Sequence, residues 1–533
     1  MRVNVPDFLA RNSVHAHEGE GQVMNHSNHD VIVIGTGFAG LGMGIKLKKA
    51  GITNFTILER STDVGGTWRD NHYPGAACDV ASHLYSFSFE PNLTWSRMFS
   101  PQAEILAYIK HCAKKYGLLP HIRLKSNVIE ATFDDISGKW TVRTDDGQSY
   151  TARFLITGTG GLSRPSYPNI PGIQDFSGDL FHSAAWNHSV ALEGKRVAVI
   201  GTGASAIQIV PSIAGKVGKL HLFQRSAAWI LPKRDFAFTP RQQWLKRHIP
   251  FWERGIRLSI FWRNELFGLG LRYPKFMNFA KGVFLKYLEH KVKDPELRAK
   301  LTPNYAPGCK RILLSDEFYA GVSRDNVDLV TAPISHISAK GIVTKDGKEH
   351  VIDTLICATG FQASEAVSPF PIRGRQGRLL ADVWDAKGAE AYRGTTVSGF
   401  PNLFFIVGPN TGLGHTSMVL MIESQVRYVV DAIRKATKRQ LKFVDVYPKR
   451  QEEFNTDLQA NLQGMVWTQG GCVSWYQTAS GKITTLWPKS TIAFSNMLRH
   501  FDLANYHQEP LVSASKQGRE PPLMETRDIS KSA

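Results

Sequence analysis

The chain has 533 residues, enough for about three or four domains, and its hydrophobic share of 42% allows a large buried core. Its five cysteines contain no Cys-x-x-Cys pair, which argues against a disulfide framework, a zinc site or a dithiol redox centre and favours a reducing compartment. Residues 1–28 lack the apolar core of a signal peptide, and no apolar run approaches the roughly 18 residues that cross a bilayer, so a soluble, cytoplasmic protein is expected.

The net charge of +18 is unevenly distributed along the chain. Residues 231–305 contain sixteen Lys or Arg and six Asp or Glu, a local net charge of +10, with aromatic residues interleaved. This composition predicts a helical subdomain with a solvated basic face. Trp252, Ile256 and Ile260 fall at amphipathic spacing with two arginines among them, so weak contact with a membrane surface is the alternative. Nucleic-acid binding is not expected, because no known motif for it is present.

Two segments about 165 residues apart share the order strand, glycine-rich turn, helix, strand. Each predicts a dinucleotide-binding unit, so the expected fold is α/β with two Rossmann-like domains and a helical insertion in the second. A late strand over 402–408 should rejoin the first sheet. The predicted parts are an N-terminal extension (1–28), a first domain in two pieces (29–162 and 361–510), a linker (163–189), a second domain in two pieces (190–230 and 306–360), the basic helical subdomain (231–305) and a flexible tail (511–533).

The first glycine-rich turn follows a strand over 30–34. Gly35 allows a tight bend, Gly37 lets the backbone approach a pyrophosphate, and Gly40 lets the helix pack on the strand. Glu59 ends the next strand, where a carboxylate can accept hydrogen bonds from ribose hydroxyls. Three further residues of this unit are candidates for cofactor binding, namely Phe38, Ala39 and Arg60.

The second turn differs from the first at the ribose position, where Gln224 and Arg225 replace the acid. A carboxylate would repel a 2′-phosphate, whereas a guanidinium beside a neutral amide would bind it. This contrast predicts FAD at the first turn and NADPH at the second. The candidate residues of the second turn are Gly201, Thr202, Gly203, Ala204, Ser205 and Ala206.

Between the two turns lies Phe176-x-Gly178-x-x-x-His182-x-x-x-Trp186, which resembles the fingerprint of type I Baeyer–Villiger monooxygenases. The family pattern usually continues with Pro or Asp, where this chain has Asn187. We expect these residues to form a joint between domains. The stretch Gly65-Gly-x-Trp68, followed by Tyr73-Pro-Gly and Asp79, matches a second signature of the family.

The resemblance implies a flavoenzyme that uses NADPH and O₂ to convert a ketone into an ester or lactone, through a flavin C4a-peroxide and a tetrahedral adduct. It makes Arg311 the catalytic guanidinium, held by Asp79, and it lets Lys310 assist Arg225 at the 2′-phosphate. The segment 408–414 is similar to a late flavin loop. The resemblance also implies cofactor contacts for Gly66, Thr67, Trp68, Tyr85, Asn410 and Trp475.

Two alternative functions are compatible with the same nucleotide-binding turns. A heteroatom-oxidising flavin monooxygenase would form N- or S-oxides, although that group tends to have Tyr or Phe where this chain has Trp186. A flavin reductase that passes electrons to a partner would not oxygenate at all. The expected partners are a small-molecule ketone and O₂, and the sequence leaves the oligomeric state open.

Overall fold

A computed structural model of the chain describes residues 26–362, 368–478 and 480–511. The expected N-terminal extension and C-terminal tail lie almost entirely outside these residues. The first strand begins at His26, inside the predicted extension.

The structure contains both predicted glycine-rich turns at the ends of parallel strands. The strands are β1 His26–Ile34, β2 Phe55–Leu58, β3 Ile122–Arg123, β4 Val128–Asp134, β5 Lys139–Thr144, β6 Ser149–Thr157, β7 Asp179–His182, β8 Arg196–Ile200, β9 Lys219–Phe223, β10 Ile230–Leu231, β11 Leu313–Leu314, β12 Val327–Val330, β13 Ile334–Ser338, β14 Gly341–Thr344, β15 Glu349–Val351, β16 Thr354–Cys357, β17 Ile372–Arg373, β18 Leu403–Phe405, β19 Leu441–Val446 and β20 Tyr506–Pro510.

Helices cover the sheets and form the insertion in the second domain. They are α1 Phe38–Lys49, α2 Thr67–Asp70, α3 Gln102–Lys115, α4 Ala206–Ala214, α5 Pro240–His248, α6 Trp252–Arg272, α7 Pro274–Lys291, α8 Pro295–Lys300, α9 Phe318–Val322, α10 Leu380–Lys387, α11 Met418–Lys438, α12 Pro448–Leu462, α13 Val466–Gln469 and α14 Thr491–Met497. None of these described helices is long and apolar enough to cross a membrane.

The first sheet has the order β17-β4-β5-β6-β1-β2-β3, and β18 pairs with β6 in parallel. The late strand therefore rejoins the first sheet, as predicted. Val31, Ile32 and Val33 of β1 are fully buried, because β1 pairs with a strand on each edge and its two faces belong to two different core clusters. Helix α1 begins four residues after the end of β1 and packs against α11.

The second sheet is parallel throughout, in the order β12-β9-β8-β16-β7. Its strand β7 lies within the segment predicted as a linker and includes His182 of the fingerprint. Strand β7 has only four residues and pairs with β16, which is far along the chain, so the local sequence gives little indication of this strand. His182 is fully buried near Tyr167 and Phe361, and Phe181 packs edge-on against Trp186. Burial lowers the pKa of His182 to about 4.

The basic segment is helical, as predicted, and is formed by α5 to α8. The three apolar residues at amphipathic spacing do not form one exposed face, however, and contact of the segment with a membrane stays a prediction. Ile260 is buried and Arg257 donates hydrogen bonds to the carbonyl oxygens of His83 and Ser86, so this face of α6 packs against the protein. Spacing alone gives the period of a helix but not the direction in which its apolar face points.

Candidate active site

Both glycine-rich turns open into one cavity of about 1660 Å³. The carboxyl ends of β1 and β8 face it, as is usual for ligand sites of open α/β sheets. Most residues predicted for the site line this cavity, namely Gly35, Gly37, Phe38, Ala39, Glu59, Arg60, Gly66, Thr67, Trp68, Asp79, Tyr85, Gly201, Thr202, Gly203, Ala204, Ser205, Arg225, Lys310, Arg311 and Trp475.

The turns have the close backbone contacts that only glycine allows. Gly35 has a φ of +97°, and a Cβ there would lie 2.7 Å from the carbonyl oxygen of Gly158. A Cβ on Gly40 would lie 1.8 Å from the carbonyl oxygen of Gly35. By contrast, a Cβ on Gly203 would meet nothing within 4 Å, so this position is open toward the cavity. The turns therefore leave backbone accessible where a dinucleotide phosphate could approach a helix N-terminus.

Glu59 is buried and firmly held at the end of β2. Its carboxylate accepts hydrogen bonds from the backbone N–H of Thr36 at 3.0 Å and of Ser61 at 2.9 Å. The Arg69 guanidinium lies 3.1 Å from Glu59 Oε1. Sequence reasoning missed Arg69, because no spacing rule connects the two residues. A ribose contact of Glu59 remains a prediction.

Aromatic side chains line the cavity beside the first turn. Trp68 donates a hydrogen bond from Nε1 to the hydroxyl of Tyr85 at 3.0 Å, and their rings meet edge-on with centroids 5.5 Å apart. Phe38 contacts Tyr85 at a centroid distance of 5.3 Å. These contacts hold the side chains of Phe38, Trp68 and Tyr85, all three predicted to bind the cofactor, against one another.

Arg311 and Asp79 form an ion pair in the cavity. Nη2 and Nε of Arg311 donate to the same carboxylate oxygen at 2.8 and 3.1 Å. The pKa of Arg311 is raised, because attraction to the Asp79 carboxylate outweighs the opposite effect of burying the guanidinium. Burial alone would raise the pKa of Asp79, but the Arg311 guanidinium outweighs it and the net pKa is lowered. Both groups are therefore charged at neutral pH.

Tyr476 is a cavity residue that sequence reasoning did not select, although its neighbour Trp475 was chosen. Its side chain is buried, whereas Trp475 is half exposed. Burial raises the pKa of Tyr476 to about 12, against the opposing influence of Arg311. A neutral phenol thus lies near the guanidinium. In the sequence, only the position of Tyr476 next to the predicted residue Trp475 could have indicated that Tyr476 belongs to the site.

Two cationic side chains meet at the second turn. Lys310 Nζ donates to Ser226 Oγ at 3.0 Å, and its pKa is lowered by burial and then by repulsion from Arg225. Gln224 is engaged elsewhere, because its Nε2 donates to the carbonyl oxygen of Lys300 at 2.6 Å. Two neighbouring cations in a cavity form a site for a doubly charged phosphate.

Three predicted residues do not line the cavity: Gly40, Ala206 and Asn410. Gly40 and Ala206 belong to the starts of α1 and α4, where they pack. The cofactor contact expected of Asn410 stays a prediction: its Nδ2 donates to the carbonyl oxygens of Ile483 and Leu486, and its Oδ1 has no hydrogen-bond partner among the described residues. The two hydrogen bonds of Nδ2 hold the loop that carries Asn410.

Cys309 and Cys472 form a disulfide across 163 residues. This contradicts the expectation that the scattered cysteines remain unpaired, and it removes the basis of the argument for a reducing compartment. The bond joins the segment of Arg311 to the loop of Trp475. Cys78, Cys112 and Cys357 are buried free thiols.

Comparisons with known proteins decide the family. Residues 32–243, which include both turns, match the family model described as pyridine nucleotide-disulphide oxidoreductase. The chain is 45% identical over 500 residues to a Baeyer-Villiger monooxygenase of Pseudomonas aeruginosa, covering 92% of this chain and 94% of the relative. The chain belongs to the Baeyer–Villiger monooxygenases.

Solved structures agree with this Baeyer–Villiger assignment. Cyclohexanone monooxygenase from Rhodococcus sp. Phi1 bound to NADP⁺ superposes with a TM-score of 0.83 at 28% identity, covering 91% of this chain and all of that one. OTEMO in complex with FAD and NADP gives 0.82 at 26% identity, covering 90% and 99%. Arg311 and Trp475 of this Baeyer–Villiger monooxygenase lie outside the region matched by the general oxidoreductase model.

Arg225→Ala should raise the KM for NADPH by about 10-fold or more and leave that for NADH nearly unchanged, because a charge-assisted phosphate contact contributes roughly 1.5–3 kcal/mol. Steady-state kinetics with both cofactors measure this. Arg324→Ala, an exposed arginine outside the cavity, is the control. Equal kcat/KM for NADPH and NADH in the wild type would contradict the assignment.

Peptide mapping of the unreduced, alkylated protein should recover the peptides of Cys309 and Cys472 as one cross-linked species. Cys309→Ser should lower the free energy of unfolding by about 2–4 kcal/mol, because the bond restricts the unfolded chain. Dithiothreitol should destabilise the wild type to a similar extent and leave the variant unaffected. Alkylation of both thiols in the native, unreduced protein would refute the bond.

Proposed function

We propose that the chain binds FAD at the first turn and NADPH at the second, and inserts one oxygen atom from O₂ next to a ketone carbonyl to give an ester or lactone. The observation that carries the residue assignment is the Arg311–Asp79 ion pair in the cavity shared by the two turns. Bound FAD would supply the redox chemistry by accepting hydride from NADPH and activating O₂. The residues supply binding, orientation and charge.

The two nucleotide sites suit different cofactors. At the first turn, Gly37 leaves room for a pyrophosphate, since a Cβ there would have Gly66 Cα as its nearest neighbour, at 3.9 Å. The Glu59 carboxylate is the acceptor for a ribose hydroxyl at this site. At the second turn, Arg225 and Lys310 bind the 2′-phosphate that distinguishes NADPH from NADH.

Arg311 is the catalytic residue of this proposal. Negative charge develops on oxygen when a ketone carbonyl is attacked and again when the resulting adduct rearranges. Asp79 occupies the Nε and Nη2 groups, so we assign the Nη1 donors to the reacting oxygens. A fixed cation in a shielded cavity stabilises such charge without having to reorganise during the reaction.

Asp79 is a positioning residue that acts through Arg311. Two hydrogen bonds to one carboxylate oxygen restrict the rotation of a long side chain, and the negative charge balances a guanidinium that is partly exposed to the cavity. Trp475 and Tyr476, tied to the Arg311 segment through Cys472–Cys309, complete the wall on this side and limit access of water.

Identifying the product distinguishes this reaction from the two alternatives, heteroatom oxygenation and electron transfer to a partner. Cyclohexanone, named for the similar Rhodococcus enzyme, is a rational first substrate beside open-chain and aromatic ketones. A sulfide and an amine test the first alternative. NADPH oxidation without oxygenated product would favour the second.

Purified protein should be yellow with one FAD per chain, and Gly37→Val should lose most of the flavin, because the valine side chain occupies the space for the phosphates, while its Cβ would be no closer than 3.9 Å to the backbone of Gly66. Flavin absorbance relative to protein absorbance measures the occupancy. Gly282→Val, at a position with nothing within 4 Å, is the matched control. Folded wild type that cannot be reconstituted with FAD would refute the flavin site.

Arg311→Ala should still bind FAD and be reduced by NADPH, yet form ester about 10²–10³-fold more slowly, as expected for loss of a fixed electrostatic donor. Its reducing equivalents should appear as hydrogen peroxide. Asp79→Ala should show a weaker form of the same defect. Product analysis and anaerobic reduction kinetics separate these steps, and Arg450→Ala, an exposed surface arginine, is the control. Ketone oxidation by Arg311→Ala at the wild-type rate would overturn the role.

A further inference from the structure

Helix α6 exposes a stripe of apolar side chains to solvent, whereas both of its acidic side chains are buried. Leu258 is 56% exposed, Trp262 50% and Leu266 66%, at a spacing of four residues. Leu269 continues the stripe. Such spacing places the four side chains along one face of the helix. A helix at the surface of a water-soluble domain normally has the opposite arrangement.

The inward face of α6 is fixed by polar contacts rather than by apolar packing alone. Glu253 Oε1 lies 2.6 Å from Nδ1 of buried His83. Glu265 accepts a hydrogen bond from the backbone N–H of Thr491 at 3.2 Å and lies 3.1 Å from His415 Nε2. These buried contacts hold the orientation of the helix, so its apolar stripe cannot turn inward without leaving carboxylates unpaired.

Helix α7 extends the same kind of surface. Phe276 is half exposed and Phe279 is 84% exposed. We call the exposed apolar side chains of the two helices the α6–α7 face, consisting of Leu258, Trp262, Leu266, Leu269, Phe276 and Phe279. Monomeric soluble proteins rarely expose apolar side chains in such a concentration without a binding partner.

The charge around the α6–α7 face is almost entirely positive. The two acidic residues of α6, Glu253 and Glu265, are both buried, whereas Arg254 and Arg263 are exposed. Exposed lysines follow on α7, which has a single acidic residue, Glu289. The partner should therefore accept apolar side chains and carry negative charge.

We propose that the α6–α7 face docks on the surface of an anionic lipid bilayer. Leucine and aromatic side chains would enter the boundary between headgroups and acyl chains, while the flanking arginines and lysines contact lipid phosphates. Trp262 has the amphipathic indole that is enriched at this boundary. A second copy of the chain is the weaker candidate, because a symmetric contact would bring two cationic faces together. The proposal is independent of the reaction.

Co-sedimentation of the full-length, FAD-loaded protein with vesicles tests the proposal. Vesicles of phosphatidylcholine with about one-third phosphatidylglycerol should bind the protein at least about 10-fold more strongly than vesicles of phosphatidylcholine alone, and salt should weaken the binding. Leu258→Gln combined with Leu266→Gln should reduce the binding about 10-fold or more. Arg254→Gln combined with Arg263→Gln should remove most of the preference for anionic vesicles.

Ile136→Gln and Leu119→Gln, at exposed apolar positions outside the insertion, are the matched controls and should bind like the wild type. All variants should keep wild-type turnover of a water-soluble ketone, which verifies folding. Absence of wild-type binding to anionic vesicles, or equal binding by wild type and the double leucine variant, would overturn the proposal. A concentration-dependent dimer in ultracentrifugation that the leucine substitutions dissociate, without vesicle binding, would assign the face to a second copy and also overturn it.

Discussion

The ion pair between Asp79 and Arg311 joins positions that are 232 residues apart. Asp79 follows the first nucleotide-binding unit, and Arg311 follows the helical insertion of the second. The pair can form only if both domains and the insertion have folded and packed together. The same cavity then contains the backbone of both turns and the guanidinium of Arg311, held by Asp79. The carboxyl-terminal part of the chain adds to this arrangement. Its residues Trp475 and Tyr476 line the cavity, and its Cys472 is bonded to Cys309 beside Arg311.

Local sequence was sufficient for the parts of the fold that depend on backbone geometry. Gly35 and Gly201 occupy left-handed conformations at strand ends, and each leads into a helix after a buried strand, so the pattern is complete within a few residues. Resemblance to a family added Arg311 and Asp79, which no spacing rule connects. The cofactor contact of Asn410 stays a prediction, because the motif marks the loop and not the direction of each side chain.

Several tertiary contacts could not be predicted from local sequence patterns. The Cys309–Cys472 bond and the Glu59–Arg69 pair depend on tertiary approach, and the cysteine spacing gave no sign of the bond. The orientation of α6 is a similar case. Its apolar and charged residues alternate with helical period, but buried partners such as His83 and His415 determine which face points inward. An amphipathic pattern therefore left two opposite surfaces equally compatible with the sequence.

The central claim is that this Baeyer–Villiger monooxygenase transfers one atom of O₂ to a ketone while NADPH supplies the electrons. Incubation with NADPH, a ketone and ¹⁸O₂, followed by mass spectrometry, tests it most directly. The account predicts an ester or lactone that contains one ¹⁸O atom, formed in proportion to the NADPH consumed. NADPH consumption that yields only hydrogen peroxide across a broad ketone panel, or a product labelled from water instead of O₂, would contradict the account.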